Sequence, residues 1–99
     1  TTVQSLYLLN NEFVHEQAKA LAARLGKSGT DEQQRIARGF EMTIGRLPST
    51  SERVRAEAFL TGYRQRLSAD GCEPAEVDTQ AWRAFCRVLF KLNEFLYVD

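Results

Sequence analysis

Apolar residues recur along this chain at the three-and-four spacing of one helix face, in four separate stretches. After Asn11, the positions Val14, Ala18, Leu21, Ala22 and Leu25 share a face, and Gly26 is the expected stop. Thr30 with Gln33 has the spacing of a capping box, after which Ile36, Phe40, Ile44 and Leu47 follow at helical intervals. Gly45 and Pro48 close that element. Ser49 with Glu52 offers a second box, and Ala56, Phe59, Leu60, Tyr63 and Leu67 trace the stripe behind it. The segment SADGCEPAEVDT holds Gly, Pro and four acids and predicts a loop. From about Thr79 onward, Trp82, Phe85, Cys86, Leu89 and Leu92 form the richest stripe. No stretch alternates with period two for long.

These patterns predict an all-α fold, a compact single-domain bundle of four main helices over residues 1–99. Short helical pieces are expected at the N- and C-terminal ends, the first of them at SLYLL before Asn10. Linkers of four to six residues favour antiparallel neighbours.

One tripeptide occurs twice. Asn-Glu-Phe stands at 11–13 and again at 93–95, followed each time by an aliphatic residue. Asn is poor within helices and good at their starts, because its side chain competes for backbone hydrogen bonds. The Glu after it sits in the first turn, where the helix dipole favours negative charge. Each copy therefore reads as a corner that stops one helix and caps the next, with Phe turned toward the core. On this reading Asn11, Phe13, Asn93 and Phe95 are structural residues, as is Trp82 at the head of the last stripe. The apolar tail Phe95–Val98 is expected to fold back against Leu6, Leu9 and Phe13 and bring the two corners together.

Composition adds limits. Ninety-nine residues suffice for one core, and 43% hydrophobic with 26% charged residues is ordinary globular composition. Thirteen basic and thirteen acidic residues cancel, so no net charge draws the chain toward nucleic acid or anionic lipid. No apolar run approaches the ~20 residues of a membrane span. The chain starts Thr1-Thr2-Val3 without an initiator Met or visible signal peptide, which suggests a domain excised from a larger protein. Two cysteines are too few for a disulfide scaffold and leave only a Cys72–Cys86 bridge to consider.

Candidate chemistry is sparse. His15 is the one histidine, with Glu12 and Glu16 near it, and a zinc site needs about three or four convergent ligands. Asp70, Glu73, Glu76 and Asp78 do not fit the calcium loop and read as a solvated acidic segment. Ser28, Ser49, Ser51 and Ser68 lie in cap or loop contexts, and no glycine-rich phosphate loop is present. No catalytic, cofactor-binding or metal-binding residue is assigned, and the isolated chain is expected to be a monomer without cofactor. Arg83, Arg87 and Lys91 recur every four residues as one basic edge; it could meet phosphate or an acidic partner surface, but it reads first as a wet face that pairs with the acidic segment before it.

RIARGFEMTIGRLPSTSERVRAEAFLTGY resembles the first half of a sigma-factor helix-turn-helix domain. That reading needs a basic recognition helix next. SADGCEPAEVD follows instead, and its charge has the wrong sign for DNA.

Three stretches together carry another resemblance: TTVQSLYLLNNEFV, the central IGRLPSTSE, and WRAFCRVLFKLNEFLYVD at the end. They resemble the C-terminal part of the planctomycete-specific domain of unknown function catalogued as DUF 1553, whose members close on a nearly identical ending. Lys91-Leu92 departs from the polar pair expected before the last Asn. The resemblance implies the C-terminal end of a large exported bacterial protein, often with a cytochrome c-like domain upstream, and it implies no catalytic residues. Cys72 and Cys86 stand apart from any Cys-x-x-Cys-His haem signature. The expected function is a non-catalytic helical structural or protein-interaction module, partnered by the rest of its parent or by another protein. The alternative is an accessory segment that completes an enzyme active site formed mainly upstream.

Overall fold

In the computed structural model the described residues are 11–28 and 31–97, with the side chains of residues 12–27 and 31–93. Among them the chain forms four α-helices and no strand: α1 Asn11–Ser28, α2 Glu32–Ile44, α3 Thr50–Ala69 and α4 Pro74–Tyr97. The all-α reading holds. The SLYLL segment lies outside the described residues.

Helix boundaries follow local chemistry, with several corrections to the sequence reading. Gly26 does not stop α1, which runs on to Ser28. The cap of α2 is Asp31 rather than Thr30, its carboxylate accepting from the Gln33 N–H at 3.1 Å. Gly45 ends α2 at φ +84°, a left-handed conformation that glycine adopts at no steric cost, and its N–H reaches the carbonyls of Phe40 and Glu41. Leu47 therefore falls beyond the helix and is 61% exposed instead of extending the core stripe.

Ser49 and Glu52 close the expected capping box in both directions, at 3.1 and 2.8 Å. The predicted loop from Ser68 to Thr79 shrinks to a turn between Ala69 and Pro74. Gly71 at φ +86° lets the Cys72 N–H return to the Leu67 carbonyl at 2.9 Å, a six-to-one closure of α3. Pro74 then opens α4 instead of breaking it, because the first helical position needs no N–H and favours proline's φ. Glu76 sits in the first turn, where the dipole favours it.

Helix α4 packs against all three others, most extensively against α1, while α1 with α2 and α2 with α3 also touch. Its Ala81, Trp82, Phe85, Cys86 and Leu89 meet Leu21 and Leu25 of α1, Ile36 and Phe40 of α2, and Leu60 of α3 in one core. Helix α2 comes close to its neighbours at Gly39: a Cβ there would stand 3.0 Å from Leu89 Cδ1 and 3.4 Å from Leu25 Cδ1. Cys86 lies inside this core, where burial pushes its thiol up to about 12, and Cys72 lies in the turn before α4. About twelve residues of helix, ~18 Å, separate them. A disulfide holds Cα atoms within about 7 Å, so both thiols are free.

The two Asn-Glu-Phe copies have different surroundings. At the first, α1 begins at Asn11 with Glu12 in its first turn. Phe13, however, is 43% exposed, because Val14 takes the inward position and residue 13 lies one helical step off that face. At the second, α4 runs through Asn93 to Tyr97, so no helix stops there. Asn costs under about 1 kcal/mol within a helix, and the packed stripe through Leu89 and Leu92 outweighs it. The Phe95 side chain and the proposed contact between tail and Leu6 or Leu9 lie outside the described residues.

Candidate functional site

Helix α3 covers the core least completely. Ala56 and Leu60 are buried, while Phe59, Tyr63 and Leu67 are only partly so and Val54 is 62% exposed. An open groove of about 310 Å³ results between α2, α3 and α4. Phe40, Phe59, Phe85, Leu89 and Leu92 form its walls, and Val88 on α4 stands at the opening, 44% exposed. Phe59 packs against Phe85 at 6.4 Å and Tyr63 at 5.5 Å between ring centroids, so the aromatic wall is braced from both helices.

Charge enters only at the rim, through Glu52 and Arg55. Glu52 is fully engaged: Arg46 forks onto it at 2.8 and 3.0 Å, and its Oε1 accepts from the Ser49 N–H. Arg46 first, then the Ser49 N–H, hold its carboxyl down to about 2. A carboxylate so weakly basic, with its oxygens occupied, caps a helix and makes a poor proton acceptor. Arg55 donates to Ser51 at 3.3 Å. The groove is built to take apolar surface.

A second polar structure fastens the same three helices to one another. Arg64 of α3 donates to Glu32 of α2 at 2.7 Å and to Asp78 of α4 at 2.9 and 3.1 Å. Desolvation works against its charge, yet the two carboxylates outweigh it and raise the pKa. Arg35 approaches the same Asp78 at 3.8 Å. Asp78 thus pairs with α2 and α3, and not with the basic edge expected to receive it. Of that edge, Arg87 reaches the Tyr63 hydroxyl at 3.5 Å and Lys91 is exposed.

The other candidates disperse. Trp82 is in the core, 1% exposed, edge-on to Phe85 at 5.5 Å. Asn93 is half-buried, with its Oδ1 unpartnered. His15 is exposed on α1. Among the described residues no three His, Cys, Asp or Glu side chains gather as a metal site, and no helix is long and apolar enough to cross a membrane. Sequence reasoning missed the groove; its signal was Val88, a fourth apolar position that widens the stripe of Phe85, Leu89 and Leu92.

No curated protein and no solved structure matches the chain. A family model does match, over residues 1–60, which takes in α1, α2 and the first half of α3. Residues 61–99, including the ending on which the resemblance leaned most, lie beyond that match. More than half of the chain is covered, and the chain therefore belongs to the family described as PSD1, protein of unknown function (DUF1553).

Proposed function

We propose that this chain is a non-catalytic helical structural or protein-interaction module, the C-terminal part of a larger exported bacterial protein of the planctomycete type. Its working surface is the groove between α2, α3 and α4. The occupant is an apolar segment of the same parent protein. The observation that carries this reading is the exposure of Val88 above an aromatic wall that has no titratable group free for chemistry. The family match supports the choice of occupant, since it takes in only part of the family's domain. An exposed apolar groove with a polar rim marks a surface of interaction.

The test is reconstitution in trans. This chain and the remainder of the parent protein are produced separately and their binding is measured by calorimetry. Val88→Glu places a charge at the opening without touching the buried core. The expected result is unchanged melting of the isolated chain with binding lost. Binding that persists in the Val88→Glu variant contradicts the groove as the docking surface.

A further inference from the structure

A second hollow, of about 300 Å³, lies between α1, α2 and α4, and its chemistry differs from that of the groove. Lys19 of α1, Arg35 of α2 and Arg83 of α4 line it, against the single carboxylate of Asp78. That carboxylate is already held by Arg64 at 2.9 Å. Arg83 makes no ion pair among the described residues, and Lys19 has only the exposed Glu16 at 3.8 Å.

Two donors on residues that line the hollow have no acceptor among the described residues. The indole Nε1–H of Trp82 and the Nε–H of Arg35 are both buried without a hydrogen-bond partner, and Trp82 as a whole is 1% exposed. The two groups are stacked, the Arg35 guanidinium carbon standing 4.1 Å from the indole centroid. Neither nitrogen can accept, so only an acceptor relieves them. Folded proteins leave few buried donors unpaired, and each that remains asks for an explanation.

We propose that this hollow binds a carboxylate, its oxygens taken by the paired donors of Arg35 and Trp82 while Arg83 and Lys19 supply the favourable field. An Arg fork matches a planar carboxylate. The lining carries three cations against one carboxylate, and its field therefore favours an anion. Both donors are shielded from solvent, so the ligand oxygen reaches them as Arg35 shifts away from Asp78, to which it is held only at 3.8 Å. The carboxylate has two sources, a small free acid or a Glu or Asp side chain of a polypeptide.

The chain contains one tryptophan, so a ¹⁵N-labelled sample has one indole N–H resonance, which belongs to Trp82. It is titrated at constant ionic strength with acetate, with a doubly capped Ala-Glu-Ala peptide, with inorganic phosphate and with chloride. A saturable shift with acetate or the peptide is expected, the tighter of the two naming the source. Arg83→Gln should weaken that binding about tenfold, as for loss of one nearby cation, while Arg53→Gln on the exposed side of α3 leaves it unchanged. An indole resonance that ignores both carboxylates, that responds equally to chloride or more strongly to phosphate, or an Arg83→Gln variant with unaltered binding, overturns the proposal.

Discussion

Arg35 lays its guanidinium over the indole of Trp82, 4.1 Å from carbon to ring centroid, and so joins α2 to the head of α4. The contact sits where three helices meet: Asp78 lies one turn before Trp82 on α4, and Arg64 brings α3 to the same carboxylate. A desolvated cation over an indole contributes up to about 2 kcal/mol. The ring itself fills the core, edge-on to Phe85.

Trp82→Ala is therefore expected to cost about 3 to 5 kcal/mol, measured by denaturant unfolding. Trp82→Phe keeps an aromatic surface and should cost much less. Equal losses for the two variants would mean that the ring volume is not what Trp82 contributes.

The link between α2 and α3 carries a pH signature. The folded pKa of Glu52 is lowered to about 2, so its charged form contributes fully above the ordinary value of 4.5. That contribution is lost as pH falls from about 4.5 toward about 2. Glutamine can still close a capping box, so Glu52→Gln isolates the charge. Melting temperatures of the two proteins should differ at pH 7 and converge across that window. A constant gap down to pH 2 would show that the Arg46–Glu52 fork adds nothing to stability.

Glycines on two helices should respond in opposite directions. Gly39 lies where α2 meets α4, and its Cβ would crowd Leu89 and Leu25. Gly39→Val is expected to cost about 1 to 3 kcal/mol by overpacking. Gly62 on α3 has open space around it, so Gly62→Ala should stabilise by about 0.5 to 1 kcal/mol through helix propensity. Thermal melts check both, and stabilisation by Gly39→Val would refute the close approach of α2 to α4.

Four helices were legible in the sequence because their apolar stripes are regular and their ends carry recognisable caps. Ser49, Glu52 and Gly45 are local signals and the structure uses them as written. The errors arise where one residue type serves two purposes. Pro74 looks like a breaker and starts a helix, and Asn93 looks like a cap but lies within one. The tripeptide pattern points Phe13 inward, whereas the register of Val14 and Ala18 decides the face. The groove was illegible for a different reason. Whether Val88 is covered depends on how far α3 extends over α4, and that is a property of packing rather than of spacing.

The central claim is that the groove between α2, α3 and α4 is open in this chain and filled in the parent protein. Val88→Cys, in a background with Cys72→Ser, puts one reactive thiol at its mouth while Cys86 stays in the core. Its rate of maleimide labelling is measured in the isolated chain and in the intact parent. The account predicts fast labelling in the isolated chain and strong protection in the parent. Equal rates in the two contradict it.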